Sequence, residues 1–175
     1  MTSDASGHNV EALVTALASK DAVERRKTRE ALAAAGTAAV PALIATLDAP
    51  DQHLRWEAAK TLTAIADPTA AERLVAALAD KYVDVRWVVG EALIALRGHG
   101  IQPLLRVLTQ PVSELPDGLL QGAHHVLHDL AKHEELAEIV TPVLKAFDEP
   151  EPAVAIPLAA LQALQNESGK GASGT

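Results

Sequence analysis

Cysteine is absent, so the chain offers no disulfide, no thiolate nucleophile and no cysteine ligand for zinc. Aromatic residues are nearly absent too: Trp56, Tyr82, Trp87 and Phe147 are the full set. A core without aromatics has to be built from Ala, Leu, Val and Ile. That composition suits closely packed helices, because Ala loses no side-chain entropy in a helix and lets neighbouring helices approach. Basic charge is short as well, with 15 Lys and Arg against 23 Asp and Glu and a net charge of −8. Affinity for a phosphate backbone needs clustered Lys and Arg, so nucleic acid is not an expected partner. No apolar run approaches the roughly 20 residues that cross a bilayer. The opening MTSDASGHN has no basic region followed by an apolar stretch. A soluble, cytoplasmic protein without a membrane partner is expected.

What is present is repetition. HLRWEAAKTLTAI (His53 to Ile65) aligns without a gap on DVRWVVGEALIAL (Asp84 to Leu96), 31 positions on, and VERRKTREALAAA is a weaker copy starting at Val23. Each copy, the A helix of a unit, is followed by a B helix of one pattern. The B segments are VPALIATL from Val40, AERLVAAL from Ala71, IQPLLRVL from Ile101 and, further on, VTPVLKAF from Val140. In each, apolar residues take the first, fourth, fifth and eighth places, which form one stripe of a helix. Breakers separate the helices: Gly36-Thr37, Asp67-Pro68 and Gly98-His99-Gly100 within units, Ala49-Pro50 between units. A pair of helices about thirty residues long cannot bury its apolar stripes alone, so successive pairs must stack as a solenoid.

The run Val85-Arg86-Trp87 with Ala92-Leu93, the matching Leu54-Arg55-Trp56 with Ala58-Ala59 and Leu62, and the B-helix pattern resemble HEAT repeats. The nearest variety is the short HEAT-like repeat also found in phycobilin lyases, and the resemblance is specific from Val23 to Leu108. It implies that Arg25, Arg55 and Arg86 form a structural ladder, each pairing with loop acids across neighbouring units. Asp21 and Asp51 precede their arginines by four positions. Tyr82 takes that place before Arg86, with Asp80 or Asp84 as substitutes.

The expected fold class is all-α, a short α-α solenoid of about four HEAT-like helix pairs with half-repeats at the ends. A single repeat domain over residues 9–165 lies between polar, disordered tails at 1–8 and 166–175. Asn9 to Ala18 reads as a lone B-type helix and Asp21 to Thr109 as three regular pairs. The fourth pair has a lengthened entry, PVSELPDG from Pro111, and Ile156 to Gln165 reads as a last A-type helix.

Four of the seven histidines lie in GAHHVLHDLAKHEE, Gly122 to Glu135. On a helix, Leu120, Ala123, Val126, Leu127 and Leu130 share the buried face, while His125 and His128 point away from it and His124 lies on its flank. His124 and His128 stand one turn apart, a spacing at which two imidazoles can share a metal ion. A biological site needs three or four ligands, so the stretch reads chiefly as a polar face, and neither metal nor cofactor is expected. His133-Glu134 is the one His-Glu pair, too few for the di-iron set of the HEAT-like deoxyhypusine hydroxylases.

No nucleophile triad, paired carboxylates or phosphate loop can be placed, which points away from an enzyme. HEAT-like DNA glycosylases use a basic concave surface, whereas the B helices here carry only Arg73, Arg106 and Lys145. The resemblance implies a scaffold that binds a protein or peptide on the concave face of stacked B helices, where Arg73, Gln102, Arg106 and Lys145 are the expected contacts. The alternative it implies is an accessory protein that holds a linear tetrapyrrole for attachment, as the bilin lyases do. Trp56 and Trp87, at one repeat position, are expected to pack between adjacent A helices.

Overall fold

A computed structural model describes residues 3–172, with side chains within residues 9–167. Helix α1 covers Ser3–Ala16, α2 Ala22–Ala35, α3 Val40–Thr46, α4 Gln52–Ile65 and α5 Ala71–Ala77. Then come α6 Val83–Ala95, α7 Gly98–Leu108, α8 Leu119–Leu130, α9 Glu134–Ala146 and α10 Pro152–Ala172. Short 3-10 turns at Gly36–Ala39, Pro68–Ala70 and Val112–Glu114 join helices, and no strand occurs among the described residues. Of the two expected tails, residues 1–2 and 173–175 lie outside the described residues; helix is assigned from Ser3 and as far as Ala172.

Acidic residues start the first two A helices. Asp21 accepts a hydrogen bond from the Val23 amide, and Asp51 one from the His53 amide, each at 2.8 Å. A carboxylate in this place satisfies an otherwise unpaired amide of the first turn and faces the positive end of the helix dipole. Asp67 does the same for the Thr69 amide at the turn into α5. There the hydrogen bonds from the Thr69 hydroxyl and amide hold its carboxyl below the ordinary value.

The A helices stack in chain order, α2 on α4, α4 on α6 and α6 on α8. The α4–α6 contact is the most extensive among the described helices. Small residues are buried on both helices: Ala58 and Ala59 on α4, and Ala92 on α6. The B helices form the other layer, with α1 against α3 and α5 against α7. Between the layers lies one core of Leu32, Leu43, Leu62, Leu74, Leu93 and Leu104, each fully buried, continuing through Leu127. At about 25 cal/mol per Å² of apolar surface, each such side chain contributes about 2 kcal/mol, and the repeats hold together by summing them.

The order of the layers changes at the C-terminal end. The segment from Ile156 to Gln165, expected as an A-type helix, instead belongs to the B layer. Helix α10 packs against both α7 and α9, which hardly touch each other, and it hardly touches α8. Ile156, Ala160 and Ala163 are its buried residues. They repeat the first, fifth and eighth places of the B-helix stripe, with Pro157 second as Pro41 is in α3. The small Ala160 and Ala163 let α10 lie close to its two neighbours.

Candidate functional site

The ladder arginines end in three different arrangements. Arg25 donates from Nε to Glu57 Oε1 at 2.7 Å, and Arg29 reaches the other oxygen of the same carboxylate, so Glu57 ties α2 to α4 from a buried position. Arg55 makes a two-pronged pair with Asp80, Nε to Oδ2 at 2.5 Å and a terminal nitrogen to Oδ1 at 3.0 Å, and also donates to the Ala49 carbonyl at 2.8 Å. Its side chain is 9% exposed and that of Asp80 8%. Burial pushes the Asp80 carboxyl up, but the Arg55 hydrogen bond and charge and the Tyr82 amide outweigh this and hold it below its ordinary value. The same pair, led by the Asp80 hydrogen bond, raises Arg55 further. Of the arginines expected to form the ladder, Arg55 thus meets a loop acid, Asp80, and Arg25 a helix acid, Glu57. At Arg86 this pairing stops: the guanidinium donates to the Asp80 carbonyl at 2.8 Å and to Gln121 Oε1 at 3.3 Å, with no carboxylate partner among the described residues. Asp80 and Asp84, the substitutes expected for Arg86, turn instead to Arg55 and to Gln52 Nε2, at 3.1 Å.

The B layer carries two ion pairs that step from helix to helix. Arg73 on α5 pairs with Asp48, which follows α3, and Arg106 on α7 pairs with Glu72 on α5 at 3.1 Å. Arg106 and Gln102 line a polar groove of about 470 Å³ together with Glu72, His99 and, from α10, Glu167. Glu167 Oε2 is buried there without a hydrogen-bond partner among the described residues. Arg73 stands one helix away from Arg106, whereas Lys145 is exposed on α9, on the far side of α10. The four expected contacts are thus divided: three neighbour one another, and α10 separates the fourth.

On the A layer, the histidines of α8 are not spread evenly over a wetted face. His125 stacks on Trp87 with ring centroids 4.2 Å apart and planes at 26°, and its Nε2 lies 3.2 Å from Glu91 Oε1. His124 and His128 stack 6.3 Å apart, and His124 meets the edge of Phe147 at 5.3 Å. Among the described residues no group of three or more His, Cys, Asp or Glu converges as a metal site. Trp56 packs against the core with the Arg29 guanidinium 5.8 Å from its ring. Trp87, at the same repeat position, is 60% exposed, so it does not seal the stack as expected but borders an open, largely apolar groove of about 380 Å³.

The family model for HEAT repeats matches residues 10–94. Over that stretch the chain carries HEAT repeats. HEAT repeats generally serve as scaffolds for protein interactions. No curated protein matches this chain. No helix among the described residues is long and apolar enough to cross a membrane.

The HEAT match ends inside α6, and the irregular geometry begins just beyond it, at the entry to α8. Gly118 caps that entry at φ 80°, a left-handed conformation. A Cβ on it would stand 2.9 Å from Arg86 Nε and 3.0 Å from Cδ and Cζ. The conformation favours glycine, and a Cβ would also displace the Arg86 guanidinium. Gly118→Ala is therefore expected to lower stability by about 1–2 kcal/mol. The check is a shift of the urea midpoint without a change in slope; an unchanged midpoint would contradict it.

Proposed function

We propose that this HEAT-repeat chain is a non-catalytic scaffold that binds a protein or peptide on the concave face of its B helices. Arg73, Gln102 and Arg106 are its principal contacts, and Lys145 is an outlying one. The observation that carries this reading is the polar groove between α5, α7 and α10. There Gln102, Glu72 and Arg106 are exposed, while Leu74, Leu104 and Leu105 of the same helices are buried. Side chains free of the core are available to a partner. The ion pairs Arg73–Asp48 and Arg106–Glu72 fix where those charges stand, and such exposed pairs add little to stability, about 0–1 kcal/mol each. They can therefore be altered without unfolding the chain.

The test follows from that separation. Arg73→Glu combined with Arg106→Glu is expected to reduce capture of partners from a lysate of the source cells at least tenfold. Helicity by circular dichroism should stay unchanged. A loss of about 1.4 kcal/mol in binding corresponds to that factor, modest for two central charged contacts. Capture of the same proteins in the same amounts would remove the B-helix face as the binding surface.

A further inference from the structure

Arg25, Arg55 and Arg86 occupy one repeat position, and the first two each hold a carboxylate. Arg86 holds none among the described residues. The reason lies in the chain. The acid of Arg55 comes from the loop 25 positions on, at Asp80, and the same step from Arg86 reaches Pro111, in the lengthened entry to α8. The amide of Gln121 stands in for the missing acid, at a long 3.3 Å. A guanidinium with that single side-chain acceptor keeps donors free, and it pairs most strongly with a carboxylate.

The surroundings of Arg86 suit a ligand. Arg86 lies against Gly118, where there is no Cβ to push it aside, and its donation to the Asp80 carbonyl holds it there. Next to it Trp87 is held by the stack on His125, which in turn is held by Glu91. Val83, 64% exposed, lines the groove, and the adjoining Tyr82, 38% exposed, adds to the exposed apolar surface. Trp, Tyr and Arg are the residues that most often anchor protein interfaces, and apolar side chains exposed together mark contact surfaces. A small molecule is normally enclosed over most of its surface. This groove is open along one side and bordered by a mostly exposed Trp, a shape that fits a length of chain.

We propose that the groove between α6 and α8 binds a peptide segment of a partner in which an Asp or Glu lies beside a bulky apolar residue. The carboxylate takes the vacant rung on Arg86, and the apolar side chain packs on Trp87 between Val83 and His128. The net charge of −8 opposes an acidic partner at long range, but screening over about 8 Å at physiological salt leaves the choice to contacts at Arg86. This surface lies on the A layer and is independent of the B-helix face.

Panning a library of random dodecapeptides against the full chain tests the proposal. Enriched peptides are expected to carry Asp or Glu within two residues of Phe, Trp, Leu or Ile. Synthesised, they should lose affinity about tenfold or more on Arg86→Gln and on Trp87→Ala, and none on the double variant Arg73→Glu with Arg106→Glu. Changing the peptide's acid to its amide leaves the protein untouched. It should cost as much as Arg86→Gln and add nothing when the two are combined. Enrichment of no peptide, enrichment without an acid, or affinity that survives Arg86→Gln overturns the proposal. So does dependence on Arg73 and Arg106, and so does binding of 2-naphthoate when no peptide binds.

Discussion

Asp80→Ala is expected to lower stability by about 3 kcal/mol or more, the cost of leaving one charge of a buried pair uncompensated. The size comes from geometry. Arg55 and Asp80 are both nearly covered, and two parallel hydrogen bonds join them across the boundary between consecutive units. Without Asp80, Arg55 keeps the Ala49 and Pro50 carbonyls at 2.8 and 3.2 Å but has no anion to offset its burial. Replacing both partners, Arg55→Leu with Asp80→Ala, should cost clearly less than the two single losses added, because no charge is then left stranded. By contrast, Arg106→Ala breaks an exposed pair and should stay within about 0.5 kcal/mol.

The same pair sets an acid limit. The folded-state carboxyl of Asp80 lies below its ordinary value of 3.8. Its contribution is therefore complete above that value and is lost as pH falls from there through the lower folded-state value. Urea midpoints of the native chain should drop below about pH 4, and those of Asp80→Ala should drop less over the same range. Midpoints for the two chains that fall in parallel, or a cost under about 1 kcal/mol at neutral pH, would mean that the pair does not carry the α4–α6 junction.

The stack of helices was legible because burial leaves a period in the sequence. Leu32, Leu62 and Leu93 return at the unit spacing, and all three are fully buried. The partners of the ladder were less legible. A sequence shows acids near an arginine along the chain, such as Asp51 four positions before Arg55, but Asp51 caps its own helix. The acid that Arg55 uses arrives from the next unit, and only stacking brings it there. Trp56 and Trp87 make the same point: one register gives one half-buried ring and one exposed ring, because the neighbouring units differ. His125 could be placed off the buried face of α8, yet its stack on Trp87 depends on how close α8 comes to α6. Gly90 allows that approach, since a Cβ there would stand 3.0 Å from His125 Cδ2. The B-type character of α10 was present in the sequence as Ile156, Ala159, Ala160 and Ala163 with Pro157. Strict alternation of A and B helices hid it, since two B-type helices in succession break the rule of one hairpin per unit.

That break yields the second large effect, at Ala160→Asp. Ala160 is fully buried on α10. A carboxylate there would enter the contact of α10 with α7 and α9 with no cation assigned to it, at a cost of several kcal/mol unless the helix undocks. Undocking is the cheaper course, because in a solenoid each helix depends chiefly on its neighbours. Hydrogen exchange is the measurement that reads it. Amides of α9 and of the α7 face beneath α10 should exchange at least tenfold faster, while those of α2, α4 and α6 hold their protection. Gln162→Asp, on the exposed side of the same helix, should change nothing. Faster exchange centred on α8 would instead place α10 in the A layer. Uniform loss of protection from α2 onward would mean that the array unfolds as one unit. If only α7 and α9 respond, α10 is the element that joins the end of the B layer, and the groove containing Gln102, Arg106 and Glu167 depends on its being docked.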